Sequence, residues 1–572
     1  MPLALDNGEI RHWQVNKIGV IGPGIVGMPM AALLASARIR EGADQPATVT
    51  VIQRRSATSG WKVDAINAGQ SPIGGVEPEL DRIVGEAVSA GLLNATDDFG
   101  ALRDADVVLV CVQTDKTGFA PDYGPMFEAL HPLAQALRRK PAQNIPLIIF
   151  ESTLAPSSMA TVVREHFRQY GLEEGRDLLL GNSPNRVMPG RLVERVASSD
   201  KIVAGLRPLT PRLIARLYGR IVTGGALHQT NSLTAEVVKT LENAFRDVRI
   251  AFAAEIARFC DAENLDFYAV RQEVNARLAQ SDTASSDPTV VPSGGILVPT
   301  LGVGGHCLPK DGILLWWRRL ERGAPTESSL ILEARCINDE SPAATVALAE
   351  RFFGRLAGKS VALLGTAYRF NSEDTRNSPT LALARQLQAL GCEVVLHDPY
   401  VRPSDQNLLK SGLKDRFTRD LGVAVDAAEY IFLCTAHRDY TNGLIHDLAG
   451  SRRLRGVVDA CNLFRTEDFA STSVGYTGIG RGGRAPSAAF IDFVFASFRA
   501  METGVANEVQ TLLDFLNEHY ADAPFNRADL GEVRRLTATC LTGCAIASPG
   551  RVSSAPSYHG FASRLAVRAG GA

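Results

Sequence analysis

A cysteine in a glycine-rich segment is the first residue of this sequence that could do covalent chemistry. Residues 302–311 read GVGGHCLPKD and include Cys307 and Asp311. Glycines favour a turn in which a thiol is accessible, and a thiolate is a strong nucleophile. If a helix begins at the cysteine, Asp311 lies one turn further along the same side. Most cysteines are buried and inert, so Cys307 is a candidate nucleophile only with support from other residues.

A second group of residues has the spacing that phosphate binding requires. An apolar run at 17–21 leads into the glycines of GPGIVG, and an Ala- and Leu-rich stretch follows at 28–40. Between a strand and a helix, such glycines permit a tight turn, close approach to a pyrophosphate and packing of the helix on the sheet. The helix N-terminus then faces the anion. The loop predicts dinucleotide contacts from Gly22, Gly24, Ile25, Val26 and Gly27.

The end of the next strand bears on which dinucleotide is bound. An acidic residue commonly holds the ribose hydroxyls there. In this chain the apolar run 48–52 is followed by Gln53, which can still hydrogen-bond to a hydroxyl, and then by Arg54 and Arg55. The arginines are either solvated or able to accept the extra phosphate of NADP. We expect NAD, with NADP as the open alternative.

Short apolar runs alternate with helix-forming stretches in two parts of the chain. The runs lie at 17–21, 48–52, 106–112 and 146–150, and again at 360–365, 393–396, 430–434 and 456–459. Continuous apolar strands of this kind indicate parallel, doubly wound sheets. Between the two sets, 233–260 lacks Gly and Pro and predicts one long helix, and the Ser-, Pro- and Gly-rich residues 281–295 predict a loop.

The expected fold class is therefore α/β, with two doubly wound Rossmann-like domains joined by a helical central domain, plus a C-terminal extension. The expected boundaries are 1–222 for an N-terminal NAD-binding domain, 223–345 for a central helical dimerisation domain, 346–480 for a second Rossmann-like domain and 481–572 for the extension. The extension should contain a mixed helical segment and a Ser-, Gly- and Arg-rich tail.

Composition excludes several classes of protein. The 572 residues carry a net charge of −2, which provides no basic stripe for nucleic acid. No apolar run is long enough to suggest a membrane helix, and the N-terminus does not resemble a signal peptide. Nine cysteines in so long a chain do not suggest a disulfide framework. We expect a cytoplasmic protein.

Several further motifs occur in a recognisable order. They are FESTLAP at 150–156, SPNRVMPG at 183–190, AEVVKTLENAFRDV at 235–248, GVGGHC at 302–307, YR at 368–369 and DTRNSP at 374–379. Together they resemble the UDP-glucose/GDP-mannose dehydrogenase family over residues 17 to 480. The GVGGHC form is most similar to the branch that acts on UDP-N-acetylhexosamines. The second Rossmann-like domain is then expected to bind the UDP-sugar.

The resemblance implies a four-electron oxidation of a sugar hydroxymethyl group to a carboxylate. Lys239 and Asn243 are then expected to stabilise the negative charge that develops on the oxygen. Cys307 is expected to capture the aldehyde as a thiohemiacetal and to carry the resulting thioester. Glu151 and Asp311 are the implied groups that position or deprotonate the hydrolytic water.

The resemblance also implies binding residues. For the substrate these are Arg186, Val187, Lys239, Asn243, Arg246, Gly304, Tyr368 and Arg369. For the cofactor, Thr114, Thr153 and Arg376 join the glycine loop, Gln53 and Arg54. Lys201 is expected to be a solvated surface lysine. A homodimer or higher homo-oligomer through the long central helix is also implied.

Three departures leave alternatives open. Asn185 stands where the branch usually has Glu, and 274–280 lacks its His-Pro-Arg element, so UDP-glucose is an alternative to a UDP-N-acetylhexosamine. In the extension, Cys540 and Cys544 have only His559 as a further candidate ligand, and we expect no metal site.

Two other functions are alternatives to the four-electron oxidation. One is a two-electron dehydrogenase of the hydroxyacid type, and the other is a nucleotide-sugar-binding regulator without catalysis. A single oxidation needs no thiol, and a regulator needs no complete set of catalytic residues. The presence of Cys307 with Lys239 and Asp311 therefore argues against both.

Overall fold

The computed structural model describes residues 2–4, 8, 10–56, 59–74, 77–140, 144–186, 190–284, 294–441, 443–540, 546–552 and 555–571. The chain divides into two compact units. Unit 1 comprises Met1–Glu242, Leu314–Gly323 and Gln510–Cys544, and unit 2 comprises Asn243–Ile313, Ala324–Val509 and Ala545–Ala572.

Among its described residues unit 1 has twelve strands, eight of which form one sheet, while the other four form two separate antiparallel pairs. Its strands are β1 (Pro2–Ala4), β2 (Ile10–His12), β3 (Lys17–Ile21), β4 (Thr48–Ile52), β5 (Leu93–Thr96), β6 (Val107–Val110), β7 (Asp115–Thr117), β8 (Ala120–Asp122), β9 (Leu147–Phe150), β10 (Leu179–Asn182), β11 (Lys201–Gly205) and β12 (Leu227–Asn231). The sheet order is β12-β11-β10-β9-β6-β3-β4-β5. The six strands β10, β9, β6, β3, β4 and β5 are parallel to one another. Strand β11 is antiparallel to β10, and β12 is parallel to β11. The six parallel strands have the order of a dinucleotide-binding sheet.

The helices of unit 1 cover the sheet, so its central strands are buried along their whole length. These helices are α1 (Gly27–Ser36), α2 (Trp61–Asn67), α3 (Leu80–Ser89), α4 (Gly124–Leu137), α5 (Arg164–Gln169), α6 (Leu192–Ser198) and α7 (Leu209–Tyr218). Strands β3 and β4 have the predicted bounds. Strand β6 is shorter than the predicted run at both ends, and β9 begins one residue later than predicted, after Pro146.

The predicted long helix is present and slightly longer than expected. Helix α8 (Ser232–Glu263) has 32 residues, and α9 (Phe267–Ala284) follows it. Helix α9 therefore includes the first residues of the stretch that was predicted as a loop, and 285–293 lie outside the described residues. The remaining helices are α10 (Leu308–Glu321), α11 (Leu330–Asp339), α12 (Ser341–Phe353), α13 (Pro379–Ala389), α14 (Gln406–Lys410), α15 (Leu421–Ala427), α16 (Leu444–Gly450), α17 (Ala488–Tyr520), α18 (Leu530–Ala538) and α19 (Arg564–Gly571).

Unit 2 contains the second sheet. Its strands are β13 (Ser360–Leu364), β14 (Glu393–His397), β15 (Phe417–Thr418), β16 (Tyr430–Leu433), β17 (Gly456–Asp459) and β18 (Gly475–Gly478). All are parallel, in the order β15-β14-β13-β16-β17-β18. The prediction of two doubly wound Rossmann-like sheets with a helical region between them is confirmed.

The extension is more regular than predicted. Its main element is α17, a helix of 33 residues. Within unit 2, Phe498 of α17 packs edge-to-face on Phe252 of α8, with ring centroids 5.4 Å apart. Part of the apolar surface that the sequence assigns to dimerisation is therefore buried within the chain. None of the helices in the described ranges has the length and apolar character needed to span a bilayer.

Candidate active site

The glycine loop of unit 1 has a geometry that requires two of its three glycines. Gly22 has φ +93°, a conformation that favours glycine. A Cβ at Gly27 would lie 2.2 Å from the Gly22 carbonyl oxygen, so the start of α1 can pack against the loop only without a side chain. A Cβ at Gly24 would have no neighbour within 4 Å. The space beside Gly24 fits a pyrophosphate that approaches the backbone.

The polar residues after β4 have partners within unit 1. The Gln53 side-chain amide donates to the Arg54 carbonyl oxygen at 2.8 Å. Arg54 forms an ion pair with Glu128, and Arg55 forms one with Asp97 at 2.8 Å. Both guanidinium groups therefore face a carboxylate, which does not favour binding of a 2′-phosphate.

Two threonines at neighbouring strand ends are joined. Thr114 lies beyond β6 and Thr153 beyond β9, and the Thr114 hydroxyl donates to the Thr153 carbonyl oxygen at 2.7 Å. Strands β6 and β9 are adjacent and parallel, so both threonines lie at the carboxyl edge of the sheet. Ligands of open α/β sheets bind at this edge.

Glu151 ends β9 and lies in a buried polar cluster. One carboxylate oxygen accepts from Lys201 Nζ at 2.7 Å and the other from the Tyr218 hydroxyl at 2.6 Å. The expectation that Lys201 is a solvated surface lysine is wrong, because its residue is only 8% exposed. Lys201 is the first residue of β11, which pairs with β10 within the sheet, so its side chain lies in the interior. Burial, followed by the Glu151 charge, raises the pKa of Tyr218 well above its ordinary value.

Arg186 follows β10 and is also buried. Its guanidinium binds both oxygens of Glu242 on α8, at 2.6 Å and 3.3 Å. It also donates to Thr539 Oγ1 at 3.0 Å and to the Leu536 carbonyl oxygen at 3.1 Å, both in the extension. Val187, predicted as a substrate contact, lies outside the described residues.

Sequence reasoning missed Glu236 on α8. Its two carboxylate oxygens accept the backbone N–H groups of Ser157 and Met159, each at 2.8 Å. Burial raises the pKa of Glu236 to about 8, and these two hydrogen bonds oppose the rise. The signal that could have revealed it is an acidic residue within an otherwise apolar stretch of helix.

Lys239, Asn243 and Arg246 follow Glu236 along α8 and are all half-buried. Their spacing of three and four residues places them on one side of the helix. Within the part of the chain that the structure describes, neither the Lys239 ammonium nor the Arg246 guanidinium forms a hydrogen bond or a close ion pair, although burial raises the pKa of Glu242 and the Lys239 charge opposes that rise.

In unit 2, Cys307 has an exposed thiol immediately before α10. Its carbonyl oxygen accepts from the backbone N–H groups of Lys310 and Asp311, at 3.1 Å and 3.0 Å. A helix therefore begins directly after Cys307, which is the condition for Asp311 to lie one turn further along the same side. The N–H groups of a helix N-terminus stabilise negative charge at this position.

Asp311 lies behind the cysteine turn and is completely buried. One of its oxygens accepts from Lys310 Nζ at 2.7 Å and the other from the Asn243 amide at 2.5 Å. The two predicted residues Asp311 and Asn243 are thus in direct contact. The carboxylate fixes the orientation of the Asn243 amide and leaves its carbonyl oxygen to other partners.

The glycine turn before Cys307 rests on another segment of unit 2. Gly305 N–H donates to the Arg376 carbonyl oxygen at 2.8 Å, and a Cβ at Gly304 would lie 2.4 Å from Tyr368 Cβ. Burial raises the pKa of Tyr368. The Arg376 side chain is exposed and pairs with Asp374 at 2.5 Å, and this hydrogen bond raises the pKa of the guanidinium.

The other residues singled out in the sequence are Arg369 and the two cysteines of the extension. Arg369 is half-buried, and its guanidinium lies 5.9 Å from the ring centroid of Phe370. In the extension Cys540 is half-buried, and Cys544 lies outside the described residues. Across the described ranges, no three His, Cys, Asp or Glu side chains are placed to hold a metal ion.

Sequence models of one family match three parts of the chain. The UDP-glucose/GDP-mannose dehydrogenase family models match as NAD binding domain over residues 16–222, central domain over 233–340 and UDP binding domain over 362–466. UDP-N-acetyl-D-mannosamine dehydrogenase of Pyrococcus horikoshii is 32% identical over 470 residues, which cover 82% of this chain and 99% of that protein.

Two further comparisons involve a different sugar. NDP-N-acetyl-D-galactosaminuronic acid dehydrogenase of Ralstonia solanacearum is 30% identical over 436 residues, covering 74% of this chain and 91% of that protein. The crystal structure of an NDP-N-acetyl-D-galactosaminuronic acid dehydrogenase from Methanosarcina mazei superposes with a TM-score of 0.67 and 30% identity, covering 82% of this chain and 96% of that one.

Proposed function

The chain belongs to the UDP-glucose/GDP-mannose dehydrogenase family, and on that premise we propose that it oxidises the C6 hydroxymethyl group of a UDP-sugar to a carboxylate in two steps. Membership confirms the predicted nicotinamide-dependent oxidoreductase class and NAD as cofactor. The observation that carries the two-step reaction is the exposed thiol of Cys307 at the start of α10. A single oxidation to an aldehyde needs no such nucleophile.

The proposed cofactor site lies along the carboxyl edge of the unit 1 sheet. The proposed contacts are Gly22, Gly24, Ile25, Val26, Gly27, Gln53, Arg54, Thr114, Thr153 and Arg376. The open space at Gly24 supports the pyrophosphate position. The ion pairs of Arg54 and Arg55 support NAD rather than NADP. NAD supplies the hydride acceptor for each oxidation.

In the proposed first step, the sugar hydroxyl loses its proton as negative charge grows on oxygen. Lys239 stabilises that charge, and the Asn243 amide adds a hydrogen bond from the next turn of α8. The contact between Asn243 and Asp311 supports this role, because it holds the amide in one orientation before the substrate arrives.

In the proposed second step, Cys307 Sγ bonds to the aldehyde carbon and gives a thiohemiacetal, which still has a hydrogen that can leave as hydride. Oxidation gives a thioester, and water cleaves its C–S bond to release the acid and the thiol. Glu151 and Asp311 are proposed to position or deprotonate that water. The Lys201 and Tyr218 contacts support a fixed orientation of the Glu151 carboxyl group.

We propose a UDP-N-acetylhexosamine as substrate, since the relatives named above act on N-acetylated sugars. The proposed substrate contacts, besides Lys239 and Asn243, are Val187, Arg246, Gly304, Tyr368 and Arg369. Arg186, which the sequence also implied, binds Glu242 instead. UDP-glucose is the second candidate, because the absence of the His-Pro-Arg element removes a family contact to the sugar. The four predicted domain boundaries, a homodimer or higher homo-oligomer and a cytoplasmic location are part of the same proposal.

The test is a stoichiometry. Purified protein is incubated with a limiting UDP-sugar from a panel and with excess NAD or NADP, and absorbance of the reduced cofactor is followed to completion. Two equivalents per sugar support the proposal. One equivalent supports a two-electron dehydrogenase, and binding without reduction supports a regulator.

A cysteine variant tests the covalent step. Cys307→Ser should retain a weak first oxidation and form no acid. The serine hydroxyl is a weaker nucleophile than a thiolate, so it does not readily form the covalent intermediate that the second oxidation requires. Acid formation at the wild-type rate by Cys307→Ser would contradict the covalent mechanism.

A further inference from the structure

Arg186 has little capacity left for a phosphate. Its side chain is 5% exposed and makes four hydrogen bonds, two to Glu242, one to Thr539 and one to the Leu536 carbonyl oxygen. A guanidinium has five N–H groups, so only one remains. Binding a diphosphate through both edges of this guanidinium would require these buried contacts to break.

The partner of Arg186 lies close to the residue proposed to stabilise the alkoxide. Glu242 is three residues after Lys239 on α8, a spacing that brings opposite charges together. Burial raises the pKa of Glu242, whereas the charges of Arg186 and Lys239 lower it and that of Cys540 raises it. With Arg186 bound to both of its oxygens, the carboxylate has no need of Lys239 as a counterion.

The C-terminal extension supplies the remaining hydrogen-bond partners of Arg186. Helix α18 ends beside Arg186, where Leu536 and Thr539 accept its N–H groups. The segment is anchored to β12 by a hydrogen bond from Asn231 to the Arg527 carbonyl oxygen, and within the extension Asn517 of α17 donates to the Ala528 carbonyl oxygen, each at 2.8 Å. These residues lie beyond the family-model matches, which end at residue 466.

We propose that Arg186 is a positioning residue, held by Thr539 and the Leu536 carbonyl oxygen of the extension, that neutralises Glu242 and so keeps Lys239 available to the sugar oxygen. The proposal rests on the proposed function, because it assigns Lys239 to the alkoxide. It gives Arg186 a different task from the diphosphate contact implied by the sequence, and it gives the extension a part in the reaction.

The first experiment compares Arg186→Met, Glu242→Gln and the double variant. In Arg186→Met the uncompensated carboxylate pairs with Lys239, so kcat should fall by about tenfold to a hundredfold. KM for the UDP-sugar should stay within about threefold, because no diphosphate contact is lost. The double variant, which has no carboxylate, should recover kcat to within about fivefold of wild type.

Binding without turnover provides a readout that does not depend on catalysis. Calorimetry with the UDP-sugar in the absence of NAD should give a dissociation constant for Arg186→Met within about threefold of wild type. A tenfold or greater weakening, shared by the double variant, overturns the proposal in favour of a diphosphate contact. Wild-type protein that binds the sugar but never reduces NAD refutes the proposed function separately.

A substitution in the extension keeps the proposal falsifiable if Arg186→Met does not fold. Thr539→Val keeps the volume and removes the acceptor for Arg186, so kcat should fall by about twofold to fivefold with KM unchanged. The matched control is Thr537→Val on the same helix, whose hydroxyl donates only to the Val533 and Arg534 carbonyl oxygens. Equal kcat for Thr539→Val and wild type, or an equal loss in both variants, contradicts the role of the extension.

Discussion

Replacement of Glu236 should loosen the loop that carries Glu151 and Thr153. The carboxylate is 2% exposed and receives two backbone N–H groups from the far end of this loop, at Ser157 and Met159. Ser157 has φ +77°, which is uncommon for a residue with a side chain. The loop therefore depends on Glu236 to remain in a conformation that it would not adopt alone.

The size of the effect follows from the groups that lose their partners. In Glu236→Ala, two buried amides lose their hydrogen-bond acceptor, at about 1–3 kcal/mol each. Relaxation of Ser157 returns about 1–3 kcal/mol. The net loss of stability should be about 1–3 kcal/mol. In Glu236→Gln the amide oxygen still accepts from one backbone N–H, but the NH2 group cannot accept from the other. The loss of stability in this variant should therefore be about half as large.

Urea unfolding of unit 1, followed by tryptophan fluorescence, measures this loss, and the stoichiometric assay gives kcat. A displaced Thr153 and Glu151 should lower kcat by about tenfold or more. Glu263→Ala is the matched control, because Glu263 is an exposed residue at the end of the same helix, and its effect should stay within about 0.5 kcal/mol. A loss below about 1 kcal/mol in Glu236→Ala would show that other contacts hold the loop.

Two further substitutions test the cofactor loop and a buried acid. Gly27→Ala should lower the melting temperature, because its Cβ would meet the Gly22 carbonyl oxygen. Gly24→Ala should leave the melting temperature unchanged and weaken NAD binding about tenfold in calorimetry. Equal melting temperatures for the two variants would contradict this. Burial raises the pKa of Asp261 to about 7, although a hydrogen bond from the Gly480 N–H opposes the rise. Below that pH the folded state therefore keeps a proton on Asp261 that the unfolded state loses at about pH 4. The free energy of unfolding should therefore fall between about pH 4 and pH 7, and Asp261→Asn should flatten that fall.

The features that could be predicted from the sequence are those set by local patterns. Strands β3 and β4 have the predicted bounds, because a short apolar run between turns leaves few alternatives. The glycine loop was predictable because its spacing reflects backbone geometry rather than distant partners. The helix start at Cys307 likewise follows from neighbouring residues.

Contacts between distant parts of the chain were not predictable. Lys201 and Glu151 are 50 residues apart, and the sequence alone indicated a surface lysine. Arg186 and Thr539 are 353 residues apart, so nothing near Arg186 reveals that the extension binds it. In such cases the type of a side chain limits its chemistry, and the three-dimensional neighbour decides its role.

The buried carboxylates of the candidate site suggest a common arrangement. Glu151, Glu242 and Asp311 each have both oxygens engaged by donors. Glu151 and Asp311 therefore act on the hydrolytic water, as proposed above, through a remaining lone pair or after a change of partner. Asp311 orients the Asn243 amide, and Arg186 keeps Glu242 satisfied beside Lys239. A reaction that places negative charge first on an alkoxide and later on a thiohemiacetal oxygen is best served by oriented N–H donors, which Lys239 and Asn243 supply in the proposal.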